Sequence, residues 1–256
     1  MITSSQNSKI KLVRALMGRA KERREANAFV VEGVRLVEEA VNSNWGFQFV
    51  LYDDSLSERG RSQVERLRSR GVDVEMVSES LLKSMSETET PQGILAVLNN
   101  SRLPIPNSLN FILIPDQIRD PGNLGTLLRT AAAAGVQSVF LTTETADAFA
   151  PKVVRSGMGA HFRLPIHSIT WEEIRDHIRD LQVFVADMDG QSCWETDLRQ
   201  PLALIVGGES EGASEDARKL ATQKISIPMT GNVESLNAGV AGSVLMFEVM
   251  RQRSNV

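Results

Sequence analysis

The sequence predicts an α/β protein, a small α/β domain followed by a larger one built on a parallel sheet. Three observations carry that expectation. Apolar stretches of strand length alternate with longer amphipathic stretches along the whole chain. In the second half the strand-like runs "FILIPD" and "LALIVG" are almost wholly apolar, the mark of strands covered on both faces. Between the halves lies "NNSRLPIPNSLN", Asn99 to Asn110, where prolines remove the N–H groups a ladder needs. The expected division is a first domain over residues 1–100, a linker over 101–108 and a second domain over 109–256.

Taken in order, the spacing predicts a basic helix near Ser8–Arg24. Ile10, Val13, Met17 and Ala20 form its core stripe, and Lys9, Lys11, Arg14, Arg19, Lys21, Arg23 and Arg24 its charged face. The strand "AFVVEG", helix "RLVEEAV", strand "FQFVLYD", helix "SERGRSQVERLRSRG" and strands "DVEMVS" and "GILAVL" complete the first domain. After the linker come the strand "NFILIPD", the helix "GNLGTLLRTAAAAG" ended by Gly135, and the strand "QSVFLT". The helices "PKVVRSGMGA" and "WEEIRDHIRD", the strands "QVFVAD" and "LALIVG", the helix "SEDARKLA" and the strand "KISIPM" follow. The last helix is expected from Leu236 to about Arg251 as a buried element, with Ser235 a competent N-cap.

Composition bounds the function. A chain of 256 residues can bury a sizeable core. Its net charge of −4 argues against holding nucleic acid by bulk charge, though not against a local basic patch. One cysteine, Cys193, and three histidines provide neither a disulfide nor a zinc-ligand pattern, so a metal-free cytoplasmic protein is expected. No apolar run approaches ~20 residues, which makes secretion and membrane insertion unexpected. The nine methionines read as core, and no spacing supports a Ser–His–Asp hydrolase. Neither a G-x-G-x-x-G fingerprint nor a P-loop is present, which counts against a nucleotide-binding oxidoreductase or an NTPase.

In parallel sheets ligands gather outside the carboxyl ends of the strands. Here those ends carry three polar, glycine-bearing loops: residues 116–123, "GGESEG", and "GNVESLNAG". The third crowds Asn232, Glu234, Ser235 and Asn237 before an apolar helix, more polarity than one cap requires. Arg129, flanked by Leu127, Leu128 and four alanines, reads on its own as a surface arginine lying along apolar neighbours.

"DQIRDPGNLGTLLRTAAAAGVQSVFL", "LIVGGESEG" and "ISIPMTGNVESLNAGVAGSVLMFEVMR" resemble, in order and spacing, the three motifs of the SpoU-type (TrmH-like) 2′-O-ribose RNA methyltransferases of the SPOUT superfamily. "FVVEGVRLVEEAV" is similar to the family's N-terminal substrate-binding domain. The resemblance implies a C-terminal α/β knot with trefoil threading, S-adenosylmethionine as cofactor, a homodimer, and RNA as substrate, ribosomal RNA favoured over transfer RNA. It implies no metal and no membrane. Carried onto this chain, it makes Asn123, Arg129, Glu209, Ser235 and Asn237 the catalytic set, and Thr142, Gly207, Ile227, Met229 and Leu236 the cofactor positions. Because a guanidinium holds its proton, Arg129 is expected to clamp a phosphate and stabilise charge on the 2′-oxygen rather than act as a base. Ser210 departs from the pattern, which has glycine directly after the second-motif glutamate. The alternative is a non-catalytic RNA- or ribosome-binding protein that retains the fold.

Overall fold

The computed structural model describes residues 1–209, 211–231 and 235–254. It divides into two compact units, Met1–Ser101 with Phe149–Phe162, and Arg102–Ala148 with Arg163–Val256.

In the first unit helices α1 (Ser8–Gly18) and α2 (Ala20–Glu25) lead into β1 (Ala28–Glu32), α3 (Val34–Asn42), β2 (Phe47–Tyr52), α4 (Glu58–Ser69), β3 (Val74–Met76), α5 (Glu79–Lys83) and β4 (Ile94–Asn99). The sheet order is β1-β4-β2-β3 and the sheet is mixed: β4 is antiparallel to both neighbours, whereas β2 and β3 are parallel. The basic helix expected over Ser8–Arg24 is two helices, because Gly18 is a poor helix former and Arg19 turns extended at φ −116°. That break lets Arg23, nearly fully buried, fold back and donate to the Leu16 carbonyl at 2.5 Å, a group the end of α1 leaves orphaned. Lys9 is likewise not a free cation; it pairs with Asp73 at 2.5 Å and with Glu75. Lys11, Arg14, Arg19 and Arg24 remain exposed, and among the described residues none has a carboxylate partner.

The segment after Ala148 belongs to the first unit. Its helix α7 (Pro151–Gly157) packs on β1. Phe149 lies 5.0 Å from the Phe29 ring, and Phe162 lies 5.4 Å from Trp45. Arg155 stands between Glu32 at 3.9 Å and Glu87 at 3.7 Å.

The second unit contains β5 (Phe111–Asp116), α6 (Pro121–Ala133), β6 (Ser138–Leu141), β7 (Ile166–Ser168), α8 (Trp171–His177), β8 (Gln182–Ser192), β9 (Leu202–Gly207), α9 (Glu215–Leu220), β10 (Gln223–Ser226) and α10 (Ala238–Ser254). Its six strands lie in the order β10-β8-β9-β5-β6-β7 and every pair is parallel. Burial of β5 and β9 on both faces explains their unbroken apolar runs. Strand β8 is longer than expected and departs from β10 between Val185 and Gln191, so residues 186–190 leave the ladder as an excursion.

The last helix differs from expectation in two respects. It begins at Ala238, and its cap is Asn237, whose side-chain oxygen accepts from Val240 N at 3.2 Å; Ser235 does not cap it. Nor is it buried all round. Leu245, Met246 and Val249 enter the core, while Val240 and Phe247, seven residues apart and so on one face, are 47% and 45% exposed. Among the described residues no helix is long and apolar enough to cross a membrane.

Candidate active site

The carboxyl edge of the second sheet is organised by the ends of β5 and β9, paired in register from Phe111 with Leu202 to Asp116 with Gly207. Asp116 is fully buried. Its two oxygens accept from the Thr142 hydroxyl at 2.9 Å and from Ser214 N at 2.7 Å, which ties the β6 end and the start of α9 to the β5 end. A buried carboxylate is tolerable only when so bonded, and the bond from Ser214 holds one end of the loop between Gly207 and Ser214, while ladder pairing of Gly207 with Asp116 holds the other. Gly207 must be glycine for space: a Cβ there would strike the backbone of Gly212 and Ala213.

Helix α6 starts where sequence chemistry places it. Asp120 caps it by accepting from Asn123 N at 2.8 Å, and Pro121 occupies the first turn. Helix α10 lies against α6 at Gly239, where a Cβ would be 3.3 Å from Thr126 and 3.4 Å from the Asn123 backbone. The start of each helix thus arrives at one point, and Glu209 reaches it from the β9 loop. Glu209 Oε1 accepts from Asn123 Nδ2 at 2.7 Å and from Asn237 Nδ2 at 2.6 Å, and Asn237 Nδ2 also donates to Asn123 Oδ1 at 2.9 Å. A carboxylate at two helix N-termini is electrostatically favoured. Its second oxygen and its exposed position leave it able to accept from a ligand.

Beside this cluster opens a cavity of about 440 Å³. Its wall includes Gly207, Glu209, Ile227, Met229, Ser235 and Leu236 from the expected set, joined by Asp187 and Met188 of the β8 excursion and by Arg218 of α9. Met229, Leu236 and Met188 are 39%, 36% and 65% exposed, apolar side chains that a ligand would cover. Asp187 pairs with Lys224 at 2.9 Å, and that bond holds its carboxyl below the ordinary range.

Two expected residues lie elsewhere. Thr142 is buried, and its hydroxyl serves Asp116 and accepts from Gln117 N at 3.2 Å; it does not line the cavity. Arg129 is exposed, lines neither this cavity nor its neighbour, and has no ion-pair partner among the described residues. Ser210, Asn232 and Glu234 lie outside the described residues. Sequence reasoning missed Asp116 and Asp187. A strand-terminal aspartate was the available signal for the first, whereas nothing in "QVFVADMDGQS" announces that β8 leaves the ladder at the second.

Fold and site together define a class: a parallel α/β protein with a ligand cavity at the carboxyl edge of its sheet, set against an amide–carboxylate cluster. The chain belongs to the SpoU rRNA Methylase family, whose model matches residues 110–247, and residues 7–96 match the MRM3-like substrate binding domain. It is 36% identical over 251 residues, 97% of this chain and 98% of the other, to the 23S rRNA (guanosine(2553)-2'-O)-methyltransferase RlmP of Bacillus subtilis. Among solved structures it is similar to the AdoMet-bound rRNA methyltransferase of Sinorhizobium meliloti, with a TM-score of 0.87, 29% identity, and 98% of this chain and 97% of that one covered. It is also similar to the SpoU methyltransferase AviRb of Streptomyces viridochromogenes in complex with AdoMet, with a TM-score of 0.86, 30% identity, and 97% and 99% covered.

Proposed function

We propose that this chain transfers the methyl group of S-adenosylmethionine to a ribose 2′-hydroxyl of ribosomal RNA in the cytoplasm. The observation that carries the reading is the 440 Å³ cavity abutting the Asn123–Glu209–Asn237 cluster. Its residues fit the cofactor. Ile225, Ile227, Met229, Leu236 and Leu245 provide an apolar enclosure for a purine. Asp187 and Arg218, both in the cavity wall, offer both signs of charge to an amino-acid zwitterion.

When bound, the cofactor supplies a sulfonium methyl: the 2′-oxygen forms the new C–O bond as the C–S bond breaks, and the bonding pair remains on sulfur. The chain's share is placement, worth on the order of 7–11 kcal/mol for near-attack geometry, and handling of the hydroxyl proton. Glu209 accepts that proton on its free oxygen and passes it to water at its exposed edge. Asn123 and Asn237 hold the carboxylate in place.

Arg129 needs a different site from its own chain's cavities. It adjoins Thr130, which hydrogen-bonds Ser243 of α10 at 2.9 Å, and so flanks the face that bears Val240 and Phe247. That apolar face suits a second copy of the chain, so the protein works as a homodimer in which Arg129 clamps phosphate at the partner's acceptor. The trefoil threading belongs to the same proposal, supported by α10 packing on α6 and β9 while β9 lies between β8 and β5. Residues 1–100 select the RNA, and residues 109–256 perform the transfer.

The test pairs calorimetry of S-adenosylmethionine binding with mapping of 2′-O-methyl groups in total RNA from cells with and without the protein. One cofactor site per chain and the loss of a ribosomal methyl group are expected. Absence of binding at millimolar cofactor would refute the enzymatic reading.

A further inference from the structure

Glu209 stands in the wall between two cavities. One is the apolar cavity assigned above to the cofactor. The second, of about 240 Å³, is lined by Gln117, Arg119, Asp120 and Asn123, and it shares Glu209 and Glu211 with the first. Displacement at a methyl carbon runs in line, so an attacking oxygen enters opposite the leaving sulfur. A seat for the acceptor must therefore share a wall with the donor's cavity.

Charge narrows what this second cavity can hold. The carboxylates of Asp120, Glu209 and Glu211 outnumber the guanidinium of Arg119, which Glu144 already engages at 2.5 Å. Phosphate is repelled there, whereas the hydroxyl and N–H donors of a neutral nucleoside find acceptors.

Gln117 adds an independent observation. It is a non-glycine residue at φ +55°, a conformation costly to hold. The surroundings impose it: Gln117 N donates to Thr142 Oγ1, and its carbonyl faces Gly208 so closely that a Cβ there would lie 2.8 Å away. Gln117 so positioned is one of the residues lining the cavity, and its side chain carries both a donor and an acceptor.

We propose that this cavity seats the acceptor nucleoside, turned out of its RNA strand, with its ribose against Asn123 and Glu209 and its base edge read by Gln117. The proposal rests on the methyltransferase reading. An unstacked base costs a few kcal/mol to expose, and hydrogen bonds made to it in a seat of this kind offset that cost.

The experiment uses Gln117→Gly, which removes the side chain at a φ that glycine adopts freely, and Gln117→Asn, which tolerates that φ and withdraws the amide by one methylene. Thermal unfolding, the Kd for S-adenosylmethionine, and steady-state methylation of ribosomal RNA from cells lacking the protein are measured for each. The expected result for Gln117→Gly is a rise of about tenfold in the KM for RNA, with Kd and Tm unmoved and Gln117→Asn intermediate. A kcat/KM within about twofold of the parent in Gln117→Gly overturns the seat while leaving the enzyme assignment intact. If Gln117→Gly does not fold, Gln117→Asn decides on the same criterion. A parent protein that binds no S-adenosylmethionine overturns the methyltransferase reading, and the seat with it.

Discussion

Asn237 holds two positions at once: its oxygen caps α10 and its amide nitrogen bonds Glu209. Substitution separates these roles. Asn237→Asp keeps a competent cap but sets a carboxylate against Glu209, so Tm should stay near that of the parent while kcat falls at least about tenfold. Asn237→Ala loses both and should cost about 1 kcal/mol of stability as well. Thermal melts and methylation rates on the two variants check this, and equal rates would remove the Asn237–Glu209 hydrogen bond from catalysis. Gly207 gives a steric counterpart. Its substitution by Ala drives a Cβ into the Gly212 and Ala213 backbone, which cannot yield as a side chain tip would. The Kd for S-adenosylmethionine in Gly207→Ala should rise at least about tenfold by calorimetry.

At the scale of an element, the β8 excursion is the part of the cavity wall most open to test. The bond from Lys224 depresses the Asp187 carboxyl below its usual value of 3.8. A depressed folded-state value adds stability that is fully present above the unfolded value and disappears as pH falls through the folded one. The difference in unfolding free energy between parent and Asp187→Asn should therefore be flat from neutral pH down to about 5 and shrink below 3.8, as read from urea titrations at each pH. A difference unchanged into that acid range would mean that Asp187 contributes through its shape alone.

The whole molecule brings two further expectations. Phe247→Glu places a charge in the centre of the proposed dimer face, so light scattering should report monomer. Cofactor binding should persist, because residues of one chain already line the cavity and Phe247 is not among them, while methylation falls as Arg129 loses the site proposed for it. A fully active monomer would return Arg129 to its own chain. For RNA, the structure removes Lys9 and Arg23 from the basic face, pairs Lys21 with Glu25, and leaves Lys11, Arg14, Arg19 and Arg24. Reversing Lys11, Arg14 and Arg19 to Glu should flatten the log–log salt dependence of RNA binding by roughly 0.7–0.9 for each phosphate no longer neutralised. An unaltered slope would identify the face as merely solvated.

What the sequence determined by itself follows from local chemistry. Apolar strands at β5 and β9 and the helix α6 that Gly135 ends are legible because propensity and periodicity act over a few residues. The ordered motifs also named Asn123, Glu209 and Asn237, yet spacing could not say that one carboxylate oxygen would receive both amides, since those residues are 86 and 28 positions from Glu209. Tertiary structure alone decided the rest. Whether a lysine such as Lys9 meets solvent or Asp73, whether Phe149–Phe162 packs on β1 rather than on the sheet that follows it, and whether Thr142 faces a cavity or Asp116 depend on which distant surfaces are brought together. Burial and pairing arise between segments remote in the chain, and a pattern read along one segment holds no record of what the other segment will be.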